Sequence, residues 1–91
     1  MKRKTSLFLM TLFVFSSSIG TALAVSCSGN ACDKLSVQKR GGCVVFVNSS
    51  DRQIEAQIVA YVYQVYAHSD ETPKADGQCW TNIVGVKANY K

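Results

Sequence analysis

The residues of this 91-residue chain with chemistry to offer are four cysteines, one histidine and a cluster of tyrosines. Cys27, Cys32, Cys43 and Cys79 fit no zinc-ribbon or zinc-finger spacing, and no C-x-x-C redox pair occurs. An even number of cysteines in a small exported domain reads instead as disulfides. The preferred pairing joins Cys27 to Cys32 across the flexible Ser28-Gly29-Asn30-Ala31 bridge, and Cys43 to Cys79 between two strand-like runs. Cys27 with Cys43 and Cys32 with Cys79 is the rival pairing. On chain entropy the short loop contributes about 2 kcal/mol and the long one about 4 kcal/mol.

His68 is the only histidine, with Asp70 and Glu71 beside it. Imidazole and carboxylates can ligate metals or move protons, so a general-base or metal role is conceivable here. Three polar residues before Pro73 also make an ordinary solvated turn, and a lone histidine lacks the partners of a catalytic constellation. Ser26, Ser28 and Ser36 have no G-x-S-x-G context, and no Gly-rich phosphate loop is present. Nothing in the order of Asp51, Glu55, Asp70, Glu71 and Asp76 brings two carboxylates together. No metal or cofactor is expected. Asn48-Ser49-Ser50 matches the N-glycosylation sequon, and equally a turn asparagine.

The tyrosines are the better lead. If Val59 to Tyr66 is a strand, Tyr61 and Tyr63 share one face with Val59 and Val65, and Val62, Gln64 and Tyr66 share the other. Exposed tyrosines mark contact surfaces, since the ring offers area at low entropy cost and the hydroxyl a hydrogen bond. The competing reading covers both faces, as in a central strand. Trp80, beside Cys79, is expected to pack on the disulfide, and Tyr90 to close the last strand onto the core.

The elements that must position these residues are mostly strands. Leu35 to Gln38 alternates, Gly41-Gly42 offers a turn, and Cys43 to Val47 is continuously apolar like a strand covered on both faces. Asn48 to Asp51 is turn chemistry. Ile54 to Ile58 alternates and runs into Val59 to Tyr66, a loop spans His68 to Gly77, and Gln78 to Tyr90 is strand-like. A helix over 51–67 is the alternative, because Ser50 to Gln53 forms a capping box and Ile54, Ile58, Tyr61, Val62 and Val65 fit a helical stripe. The density of Ile, Val and Tyr favours strand. The fold class is therefore all-β: a small disulfide-stabilised antiparallel sheet or sandwich of about four strands.

Residues 1–24 read as a secretory signal peptide. Lys2, Arg3 and Lys4 precede the apolar run Leu7 to Phe15, and Ala22-Leu23-Ala24 supplies a small-residue cleavage site. The apolar run is about nine residues, far short of the ~20 that span a bilayer. Cleavage after Ala24 leaves 25–91 as one domain, exported to the periplasm or the extracellular space. Leu23 to Cys27 also loosely resembles a bacterial lipobox, in which Cys27 would carry a lipid anchor. Otherwise the chain meets a membrane only during export.

Charge excludes one class of partner. The whole chain carries a formal +4, but Lys2, Arg3 and Lys4 leave with the leader and the remainder is nearly balanced. Lys34, Lys39 and Arg40 form no basic face interleaved with aromatics, so nucleic acid is not an expected ligand. The favoured reading is an exported, non-enzymatic binding or interaction module, an inhibitor or envelope accessory protein. Its partner is a protein or envelope component, met through Tyr61 and Tyr63 or the His68–Gly77 loop. The alternatives are a small secreted hydrolase or toxin using His68 with nearby acids, and a structural subunit that assembles through an edge strand.

Overall fold

The computed structural model describes residues 21–91. Residues 1–20, the greater part of the expected leader, lie outside the described residues. The described residues form ten strands and no helix: β1 (Thr21–Ala22), β2 (Ser26–Ser28), β3 (Leu35–Arg40), β4 (Cys43–Asn48), β5 (Ile54–Ile58), β6 (Tyr61–Val65), β7 (Asp70–Glu71), β8 (Lys74–Ala75), β9 (Gln78–Cys79) and β10 (Gly85–Tyr90). One four-stranded sheet runs β1-β3-β4-β7, a second runs β2-β10-β5-β6, and β8 and β9 pair with each other. All pairings are antiparallel except β2 with β10.

Both four-stranded sheets contribute to one core. Val44 and Phe46 come from β4, Ile54, Ala56 and Ile58 from β5, Val65 from β6, and Val86 and Ala88 from β10. The alternation of β5 explains its role: Ile54, Ala56 and Ile58 are buried while Glu55 and Gln57 face outward. Central strand β4 is buried on both faces, with Val45 covered outside the shared core, as its unbroken apolar run requires.

Segment 51–67, the ambiguous part of the sequence, is a β-hairpin. Ile58 pairs with Tyr61 across a Val59-Ala60 turn, so the expected continuous strand folds back on itself. The capping box caps no helix. Ser50 Oγ instead accepts from the Arg52 amide at 3.1 Å and donates to the side-chain oxygen of Asn48 at 2.7 Å. The expected loop at 68–77 contains β7 and β8, and the stretch 78–90 divides into β9 and β10. The count of about four strands is low for the same reason: two-residue strands leave no periodicity to read.

Asn48 ties the hairpin to β4. It is 1 % exposed, and its side-chain amide lies within hydrogen-bond reach of the carbonyls of Arg52, Val65 and Tyr66 at 2.7–3.1 Å. Its oxygen accepts from the Ser50 amide at 2.8 Å. A buried asparagine bonded on every side cannot present its nitrogen to a glycan, so the sequon at Asn48 is unusable in the folded chain.

The two disulfides follow the preferred pairing, Cys27 with Cys32 and Cys43 with Cys79, with Cα separations of 5.9 and 5.7 Å. Both separations fall in the ordinary range for a cystine. The Cys27–Cys32 bond and a lipid thioether on Cys27 are mutually exclusive states of that sulfur. The short loop lies against β10: Gly29 has φ +109° and a Cβ there would strike the Ala88 carbonyl, so only glycine permits the approach. Asn30 accepts from the Tyr90 amide at 2.9 Å, and the Asn30 amide donates to Asn89 Oδ1 at 3.1 Å.

Candidate functional site

Strand β6 lies at the edge of its sheet and rises out of the core along its length. Val65 is fully buried, Tyr63 is half-buried against Phe46, and Tyr61 is 43 % exposed. The expected shared face of Tyr61 and Tyr63 is present, and its buried end belongs to the core. Their rings stack at 6.4 Å between centroids. Val59 is not on that face, because it sits in the turn.

Trp80 completes the cluster. Its ring meets Tyr61 edge-on at 5.7 Å, and its indole N–H donates to the Tyr63 hydroxyl at 2.9 Å. That hydroxyl donates in turn to the Lys74 carbonyl at 2.9 Å. The Trp80 backbone is held at the start of β4, where Val44 N–H donates to its carbonyl at 2.7 Å, and the Cys43–Cys79 bond pins the preceding residue. Tyr61 gives the Trp80 indole a surface and Tyr63 gives it an acceptor. Tyr90 packs against the core, with the Arg52 guanidinium 4.6 Å above its ring.

Around this cluster lie aliphatic side chains in water. Val59 is 81 % and Val84 86 % exposed, both on the groove that Trp80 lines, and Val62 on the outer face of β6 is 50 % exposed. A shallow groove of about 210 Å³ runs between Val59, Trp80, Asn82 and Val84. It is smaller than the ~300 Å³ at which small-molecule pockets begin, and is about the right size to receive one side chain of a partner. A second, open hollow of about 380 Å³ adjoins it at Val59 and Gly85, lined by Cys27, Gln57 and Lys87. Neither hollow contains paired acids or a histidine.

The turn itself is strained. Val59 has φ +55° and Ala60 does not share a positive φ, the pattern of a turn whose first residue is ordinarily glycine. A β-branched residue there is an outlier, and such outliers gather at contact sites.

His68 stands apart from this surface. Its Nε2 lies 2.7 Å from Asp51 Oδ1, and both side chains are largely in solvent. Of the acids next to it in sequence, Asp70 binds Arg40 at 2.7 Å, and Glu71 lies in β7 with its backbone paired to Phe46 of β4. The structure thus brings Asp51, not Asp70 or Glu71, to the imidazole. Among the described residues no three His, Cys, Asp or Glu side chains cluster as metal ligands, and no helix is long and apolar enough to cross a membrane. Comparison of the chain with family models, curated proteins and solved structures returns no match.

Proposed function

We propose that this chain is an exported binding module that meets a protein partner through the surface of Val59, Tyr61, Trp80 and Val84. The supporting observation is the cluster of Tyr61, Tyr63 and Trp80, with exposed Val59 and Val84 on the groove beside Trp80. Tyrosine and tryptophan anchors beside a side-chain-sized groove are the usual composition of a protein contact. The hydrogen bonds from Trp80 to Tyr63 and from Tyr63 to Lys74 fix the cluster in advance, which lowers the entropy lost on binding. Two disulfides in so small a domain are consistent with an oxidising compartment.

The test places a photoreactive amino acid at Val84 of the exported chain and, as a control, at exposed Asp33. A discrete crosslinked protein at Val84, absent at Asp33 and lost with Tyr61→Ala, is the expected result. Equal labelling at the two positions rejects the surface.

A second reading has its own observation. β6 is an edge strand of five residues with no charge and no proline, the devices that ordinarily keep such edges apart. Pairing through β6 would make the chain a structural subunit, and concentration-dependent oligomers in light scattering would favour it over a monomeric binder.

A further inference from the structure

We propose that the open hollow beside the apolar groove seats a carboxylate, so that the protein partner presents an acidic side chain next to an apolar one. This rests on the binding reading above, and it names the chemistry of what that surface meets. The hollow and the groove share Val59 and Gly85 in their walls, so one segment of a partner can fill both.

Strand register builds the hollow. Gly85 pairs with Ser26, and Lys87 lies between Ser28 on β2 and Gln57 on β5. Val86 is buried, so the alternation of β10 turns positions 85 and 87 to the outer face. A Cβ at Gly85 would lie 3.9 Å from the Ser26 Cβ, which puts the Ser26 side chain on that face too. Ser28, two residues along β2, follows it. Cys27 between the two serines is bonded to Cys32, which anchors the strand that carries both hydroxyls.

Nothing in the backbone requires glycine at position 85. Its φ is not in the left-handed region, and the nearest atoms to an added Cβ stand at 3.7 and 3.9 Å, ordinary contact distances. Glycine weakens a strand, and it often marks a place where a ligand or another backbone comes close. Here the missing side chain helps leave about 380 Å³ open on the outer face of the sheet.

Charge identifies the occupant. Among the described residues, Lys87 is the one charged side chain that lines either hollow, and it is exposed. The ion pairs among the described residues, Arg40 with Asp70 and His68 with Asp51, leave it out. Glu55, two positions further along the same face, accepts from the Gln64 side-chain amide at 3.0 Å. An ammonium and two hydroxyls can donate together to one carboxylate, whose oxygens accept several bonds. A phosphate group carries about two negative charges and calls for an arginine cluster, so a single lysine suits a carboxylate better. The groove between Val59, Trp80 and Val84 then takes the neighbouring apolar side chain.

The test selects from a random peptide library displayed on phage against the exported, disulfide-bonded chain. Lys87 and Val84 are both exposed, so variants at these positions keep the fold. The enriched peptides are expected to carry Asp or Glu beside an apolar residue. A synthetic peptide of that kind should bind roughly three- to fivefold more weakly to Lys87→Gln, and about tenfold more weakly to Lys87→Glu. Val84→Ser should weaken it as well, through the groove. Peptides that need Val84 but carry no acid, or that bind Lys87→Glu undiminished, overturn the carboxylate seat and leave the contact surface standing. Peptides that bind Val84→Ser as well as the unaltered chain, or no enrichment at all, overturn the surface and the seat together.

Discussion

The indole N–H of Trp80 donates to the hydroxyl of Tyr63 at 2.9 Å, across seventeen residues of sequence. This bond joins the segment after the Cys43–Cys79 disulfide to edge strand β6. It places Trp80 against Tyr61, where the aromatic surface meets solvent.

Tyr63→Phe tests that bond. The change keeps the ring against Phe46 but leaves the Trp80 indole and the Lys74 carbonyl without a partner. The expected loss is about 1 kcal/mol of stability, since the indole bond is part-buried and the Lys74 carbonyl is open to water, which recovers some of the bonding. Trp80 is the only tryptophan, so its fluorescence should shift as the freed indole takes a new position. Unchanged emission would mean that the hydroxyl does not hold Trp80.

The disulfides should contribute unequally. Cys43–Cys79 closes a long loop and anchors the aromatic cluster, whereas Cys27–Cys32 closes a short one. Replacing Cys43 and Cys79 by serine is expected to cost about 4 kcal/mol, and replacing Cys27 and Cys32 about 2 kcal/mol. Denaturant unfolding of the two double variants measures the difference. The long-loop variant should also lose the Trp80 environment, while the short-loop variant keeps it.

How far the sequence reveals this molecule depends on how local each cause is. β4 and β5 can be read from Cys43 to Val47 and Ile54 to Ile58, because burial writes its period directly into the side chains. The turn at Val59-Ala60 leaves no such mark, since neither residue favours a turn and the positive φ of Val59 is imposed by its surroundings. Asp76-Gly77 between β8 and β9 does carry a recognisable hairpin signal, with φ of +54° and +80°, in a stretch otherwise read as loop. The candidate surface is legible only in part. Tyr61 and Tyr63 stand out by spacing, but Trp80 joins them through tertiary contacts, and the exposure of Val84 follows from where the last loop runs. His68 meets Asp51 for the same reason, through a fold that sends its neighbours in sequence elsewhere.

Asn48→Ala should be the most damaging single polar change. Asparagine is ordinarily an exposed residue, and here it is the bonded centre of the junction between β4 and the β5–β6 hairpin. Alanine takes the side-chain donor from the Arg52, Val65 and Tyr66 carbonyls and the acceptor from the Ser50 amide, although Arg52 keeps the Ser50 hydroxyl and Tyr66 the Ser69 amide. A loss on the order of 2–3 kcal/mol is expected from the bonds that are not replaced. Thermal or denaturant unfolding checks it, and a loss below 1 kcal/mol would show that water replaces the amide.

Val59→Gly separates stability from binding. The β5–β6 turn holds a β-branched residue at φ +55°, where an L side chain is strained by roughly 1–2 kcal/mol. Glycine relieves that strain, and although it adds freedom to the unfolded chain, a net gain of about 1 kcal/mol is expected. The same change removes an exposed isopropyl group from the edge of the groove beside Trp80 and Val84. The variant should therefore unfold at higher denaturant concentration while its crosslink through Val84 weakens. A stabilised variant with undiminished crosslinking would remove Val59 from the contact and leave Tyr61, Trp80 and Val84 to account for it.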